Sequence, residues 1–111
     1  MDSVEYLARF QAKFKQMTVN SRDGFAHLEF KLEHERAADA YPVLQTLGVS
    51  ASIKIECDVS GFNPLDLPAT FEELNVDQVG RVRVKYLVAV VRAPELLGIV
   101  SRDVVVEVKL A

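Results

Sequence analysis

Phe14-Lys15-Gln16-Met17-Thr18-Val19-Asn20 and Phe71-Glu72-Glu73-Leu74-Asn75-Val76-Asp77 are one seven-residue pattern written twice, 57 residues apart. Each copy has Phe, two polar residues, a large apolar residue, a small polar one, Val, and then Asn or Asp. The likeness continues from each copy toward the C-terminus. A turn follows each copy: Ser21-Arg22-Asp23-Gly24 in the first, Gln78-Val79-Gly80 in the second. Gly tolerates the positive φ that tight hairpin turns need. Beyond the turn the offset is 56, and residues 25–32 align with residues 81–88. Period-two alternation puts Ala26, Leu28, Phe30 and Leu32 on one face, and Val82, Val84, Tyr86 and Val88 on the other copy's face.

Arg36-Ala37 then matches Arg92-Ala93, and each copy reads as a short helix. The first spans about Arg36 to Leu47, interrupted by Pro42 and stopped at Gly48. The second begins near Pro94, which suits a first helical turn. Both copies close on an alternating strand at an offset of 51, with Ile53, Ile55, Cys57 and Val59 matching Val104, Val106, Val108 and Leu110. Each copy is therefore strand, turn, strand, helix, strand, and the expected fold class is α+β. Two duplicated ββαβ units share one core, either as a mixed six-stranded sheet with parallel crossovers or as a closed barrel.

The organisation expected is one domain over residues 1–111: an N-terminal helix over 1–12, a first repeat over 13–59, a connecting loop over 60–69 and a second repeat over 70–111. Asp2 and Glu5 have capping-box spacing, and Val4, Leu7 and Phe10 form an apolar stripe on that helix. Asn63-Pro64 and Pro68 mark the loop.

Tandem ββαβ resembles the plan of double-psi barrels, and the Leu47-Gly48-Val49 helix exit resembles that family's cadence. The Gly-Asp usual near that family's last strand is missing, since Ser52 and Asp103 stand without the Gly. Residues 13–58 are also similar in rhythm to small uncharacterised proteins from the early or replication regions of tailed phages. The carriers are Lys13-Phe14-Lys15, Asp23-Gly24, an alternating strand, an Ala-rich helix and a short acidic strand. This resemblance implies a phage-type origin and transfers no site residue.

Composition narrows the function. The chain of 111 residues carries a net charge of −3, so a general electrostatic grip on nucleic acid is not expected. The single cysteine, Cys57, excludes an internal disulfide and favours a reducing compartment, most simply the cytoplasm. No leader pattern stands at the start, and the longest apolar run, Tyr86 to Val91, is far below the roughly 20 residues of a membrane helix. No phosphate loop, GxGxxG, GxSxG or HExxH occurs, so no cofactor and no enzymatic activity are expected. His27, His34 and Cys57 match no compact metal pattern. Cys57 reads as a small buried hydrophobe.

Two sets of residues remain as candidates. Arg81, Arg83 and Lys85 project from one strand face about 7 Å apart, a ladder suited to tracking phosphates. Acidic Glu73 and Asp77 on the hairpin partner are their expected ion-pair neighbours. The second set is the run Tyr86, Leu87, Val88, Val90 and Val91, apolar on both faces, together with Leu7 and Phe10 on the N-terminal helix. This surplus predicts self-association as a homodimer. The reading is a small non-enzymatic binding or adaptor protein that acts through an unidentified protein partner, of the phage modulator kind. Nucleic-acid binding through the Arg81 ladder is the alternative.

Overall fold

The computed structural model describes residues 6–20 and 22–111. Six strands form a closed barrel: β1 Ala8–Asn20, β2 Phe25–Leu32, β3 Ala51–Glu56, β4 Leu65–Val76, β5 Val82–Ala89 and β6 Asp103–Leu110. The order around the ring is β1-β2-β5-β4-β3-β6. Every neighbouring pair is antiparallel. The expected α+β class and mixed sheet are thereby corrected: the protein is mostly β, and the parallel crossover is not made. The double-psi resemblance does not extend to this pairing. After each helical segment the chain does not return beside its own second strand. Instead β3 lies between β6 and β4, so each half completes the other's sheet. Exchanging β1, β2 and β3 for β4, β5 and β6 leaves the list of neighbours unchanged.

The repeated heptad is the bulged corner of the barrel. Phe14 faces Phe30 across the strands, and Phe71 faces Tyr86 in the same way. Each pair packs ring against ring in the core, Phe14 and Phe30 tilted with centroids 5.1 Å apart and Phe71 and Tyr86 edge to face at 5.7 Å. The register then slips by one residue, between Phe14 and Gln16 in β1 and between Phe71 and Glu73 in β4. Lys15 and Glu72 are the extra residues. Two successive polar side chains thus leave the barrel before Met17 or Leu74 packs back against the core. A bulge of this kind sharpens local twist and helps a sheet close on itself. The last residue of each pattern makes the turn. Asn20 Oδ1 accepts from Arg22 N at 2.9 Å, and Asp77 Oδ1 accepts from Val79 N at 3.0 Å. These are the same Asx turn in two copies. Gly24 and Gly80, at φ 76° and 85°, complete the reversals.

The expected helices are 3₁₀ segments: His34–Asp39, Tyr41–Thr46 and Val90–Ile99. The buried residues explain why. Ala37, Ala40, Val43 and Thr46 recur every third residue, as do Ala93, Leu96 and Ile99. That spacing fits three residues per turn, not 3.6. Pro42 and Pro94 also remove N–H donors that an α-helix would use. Because β2 and β5 are antiparallel neighbours, the segments following them leave from opposite ends and cap both mouths of the barrel. In one cap the Thr46 hydroxyl donates to Val43 O at 2.6 Å, which leaves it to accept from the Tyr86 hydroxyl at 3.2 Å. Burial pushes the Tyr86 pKa up to about 12, against the opposing effect of the hydrogen bond with Thr46.

Two boundaries are also corrected. Ala8 to Ala12, expected within a helix, begin β1, because Ala8, Phe10, Ala12 and Phe14 alternate into the core. Asp2, Val4 and Glu5 of that expected helix lie outside the described residues. Leu65 to Ala69, expected as loop, begin β4, with Pro68 on the outward side.

Candidate functional site

The outer wall across β1, β2, β5 and β4 gathers the charged candidates. One row in register runs Gln16, Glu29, Lys85, Glu73. Glu29 is flanked by buried Leu28 and Phe30, and its side chain is only 7% exposed. Three cations stand around its carboxylate: Lys15 at 3.9 Å, Arg83 at 3.9 Å and Lys85 at 4.0 Å. Lys85 also approaches Glu73 at 3.8 Å. Arg81 donates through Nε to Asp77 Oδ2 at 2.9 Å. Desolvation alone would raise the Asp77 pKa, but hydrogen bonds from the Arg81 amide, the Arg81 side chain and the Val79 amide together outweigh it and hold the carboxyl below its ordinary value. The ladder Arg81, Arg83 and Lys85 therefore has carboxylate neighbours along its whole length. The sequence reading identified Glu73 and Asp77 in this role and missed Glu29, the central anion. Its signal was its position: 56 residues before Lys85, it is the aligned counterpart of that lysine.

His27 forms a second cluster at the edge of the same wall. Its Nδ1 lies 3.1 Å from Glu72 Oε1, and its Nε2 lies 3.1 Å from Asp23 Oδ2. Desolvation alone would lower the imidazole pKa, but the hydrogen bonds to Asp23 and Glu72 outweigh it and raise it. The Asp23 carboxyl accepts from Phe25 N at 2.9 Å, and this bond together with His27 lowers its pKa. The two carboxylates sit on opposite ring nitrogens, an arrangement that fixes an imidazolium. Glu72 reaches His27 because it is the extra residue of the β4 bulge.

Cys57 is half-buried, and its thiol lies 3.4 Å from the Asp103 carbonyl. Burial pushes its pKa up. A raised thiol pKa disfavours the nucleophilic thiolate. His34 is exposed beside Glu35 at 3.2 Å.

The self-association candidates separate into two groups. Tyr86, Val88 and Phe10 are inside the barrel, at 0%, 1% and 1% exposure. Leu7, Leu87 and Val90 are half-buried, and Val91 is open to solvent. Leu87 and Val91 line a 560 Å³ groove with Phe25 and Pro68. More apolar surface lies on the caps. Tyr41, Leu44 and Leu47 are exposed at 43%, 49% and 66%, three residues apart, opposite the buried Ala40, Val43 and Thr46. Three-residue spacing stacks them into one outward stripe. At the other mouth Val91 and Leu97 are exposed in the same manner. Of these cap residues only Val91 was among the sequence candidates; Tyr41, Leu44, Leu47 and Leu97 share a face only at three residues per turn.

No helix is long and apolar enough to cross a membrane among the described residues. Compared with known proteins, the chain matches no family model and no curated relative.

Proposed function

We propose that the protein is a non-enzymatic binding module that works through protein contacts made at the capped mouths of the barrel. The observation that carries this reading is the outward stripe of Tyr41, Leu44 and Leu47. A capping segment needs one apolar face for the core, and this one has two. A contiguous exposed apolar stripe on a small charged protein is a surface suited to a partner. A second copy of the chain is the simplest partner, in line with the expected homodimer. A phage-type modulator of another protein fits the same surface. The half-buried Cys57, without a disulfide, suits a reducing cytoplasmic setting. We further propose that the two ββ–3₁₀–β halves are fused copies of one ancestral unit, supported by the matching heptads, bulges and Asx turns.

The experiment is light scattering and affinity capture with the paired substitution Leu44→Asp and Leu47→Asp. Both side chains are exposed, so the far-UV spectrum and thermal midpoint are expected to stay near wild type. Loss of the dimer mass or of the captured protein supports the reading. A monomeric wild type that captures no protein overturns it.

A further inference from the structure

The lysines and arginines of this protein are not all neutralised in the same manner. On β3, Lys54 stands in register between Asp66 and Glu107. On the opposite wall, Lys13, Lys31 and Arg83 stand directly opposite one another across β1, β2 and β5, with Asp103 of β6 in register on the far side of Lys13. Like charges directly opposed across strands are unfavourable. A barrel has no edge through which such a row could spread apart. Arg36, on the first 3₁₀ segment, closes over the same place. With Lys13, Lys31 and Gln11 it lines a 340 Å³ cleft. Glu33 and Asp103 also line this cleft. Among the described residues no carboxylate oxygen lies within 4.0 Å of the Lys13, Lys31 or Arg36 charged groups.

We propose that this cleft binds phosphate groups, with Lys13, Lys31 and Arg36 as the ligating side chains. Paired residues on neighbouring strands stand about 5 Å apart, so two ammonium groups can meet oxygens of one phosphate or of two linked ones. The Arg36 guanidinium adds a planar fork suited to bidentate contact. The cations concerned come from β1, β2 and the first 3₁₀ segment, not from β5, where the ladder Arg81, Arg83 and Lys85 is occupied by Asp77, Glu29 and Glu73. The cleft is too small to enclose a polyanion, so the ligand enters by its phosphates and leaves its remainder outside. The site needs no excess charge over the whole chain, which agrees with the net −3.

The test compares the wild-type chain with Lys31→Glu and with Lys54→Glu as a control on the far wall. Sodium triphosphate and a short oligothymidylate are titrated at low salt by calorimetry, with thermal midpoints measured in parallel against sodium chloride of equal ionic strength. Either phosphate ligand is expected to bind wild type and raise its midpoint. Lys31→Glu is expected to weaken binding by about tenfold or more, because it removes a charge-assisted contact and adds a repulsive one. Lys54→Glu is expected to bind as wild type does. Lys31→Glu is also expected to melt higher than wild type without ligand, since it converts the opposed row into two ion pairs. That result removes misfolding as an explanation for lost binding. Preference for the oligonucleotide, with an affinity that falls steeply with salt, assigns a phosphodiester source. Preference for triphosphate assigns a free polyphosphate. Absence of binding by both ligands, or equal binding by wild type and Lys31→Glu, overturns the proposal.

Discussion

Two places in the barrel put aligned positions of the two halves face to face. On one wall Glu29 is opposite Lys85, and on the other Ile55 is opposite Val106. In the sequence these partners are separated by the 56- and 51-residue offsets that relate the halves. An exchange of halves therefore runs through both pairs, and each residue there meets its own counterpart. The inward pair kept one chemistry, because two branched apolar side chains pack against each other without conflict. The outward pair could not have kept one charge. Two glutamates or two lysines at that spacing would repel, and the halves carry opposite charges there instead. The bulges follow the same logic. Lys15-Gln16 in one half stands where Glu72-Glu73 stands in the other, and Lys15 brings positive charge to the wall that Glu72 and Glu73 supply with negative charge.

The largest expected effect is at the inward pair. Ile55 is fully buried, in register between Leu65 of β4 and Val106 of β6. Ile55→Ala is expected to lower stability by about 2–5 kcal/mol, measured by chemical denaturation, with Val106→Ala smaller because fewer atoms are removed. An effect under about 1 kcal/mol would mean that this wall is loosely packed.

The outward pair is expected to show a smaller effect with a different signature. Glu29→Lys places a fourth cation among Lys15, Arg83 and Lys85, and is expected to cost about 1–3 kcal/mol. Adding Lys85→Glu restores one opposite-charge pair at the same spot, so the double variant is expected to recover part of that loss. A double variant no better than the sum of the single ones would show that Glu29 and Lys85 do not couple.

The strand faces were the legible part of this molecule. Leu28, Phe30, Val82, Val84, Ile53 and Val104 are all buried, as period two requires. Partner choice was not legible, because alternation gives each strand a face and not a neighbour. A helix between β2 and β3 suggested a parallel pair, whereas β3 gains as much by pairing with β6 and β4 of the other half. The bulges were in view as Phe-polar-polar-apolar, but two polar residues in succession say only that alternation breaks. The break becomes geometry once the opposite strand is known. The N-terminal error came from small residues. Ala8 and Ala12 carry the alternating face of β1, and beside them a three-residue spacing of Leu7 and Phe10 looked stronger. The same weakness hid the candidate surfaces. The cap stripes needed the 3₁₀ repeat, and the Lys13-Lys31-Arg83 row needed the register.

The His27 cluster separates the charged wall from the apolar one by its pH response. The His27 pKa is raised on folding, so its contribution is fully present below the unfolded value of 6.5 and is lost as pH rises through the folded value. Asp23 is lowered, so its contribution is present above 3.8 and is lost as pH falls through its folded value. Stability from this cluster is thus greatest between those limits. Wild type is expected to lose stability between about pH 6 and pH 8.5 by more than His27→Gln does, as read from denaturation midpoints. Parallel profiles for the two proteins would show that the imidazolium contributes nothing. Ile55→Ala is expected to shift the wild-type profile down without changing its shape.

The smallest effect lies where the halves differ in backbone. Each half turns left-handed once between its 3₁₀ cap and its last strand, at Gly48 with φ 78° in the first and at Ser101 with φ 75° in the second. Gly48 adopts that conformation without a Cβ penalty, while Ser101 does not. Ser101 is held there by its pairing with the bulged strand. Its N–H donates to the Phe14 carbonyl at 2.7 Å, and Phe14 N donates to the Arg102 carbonyl at 2.9 Å. Those bonds dock the start of β6 beside the residue that opens the β1 bulge, so the strain is local to the seam between halves. Ser101→Gly relieves a left-handed penalty of about 1–2 kcal/mol and adds roughly 0.5–1 kcal/mol of unfolded-chain entropy. The net expectation is a gain near about 0.5 kcal/mol, visible as a small rise in thermal midpoint. Gly48→Ser is expected to move the midpoint down by a similar amount. If Ser101→Gly destabilises instead, the serine hydroxyl contributes more at this seam than the backbone conformation costs.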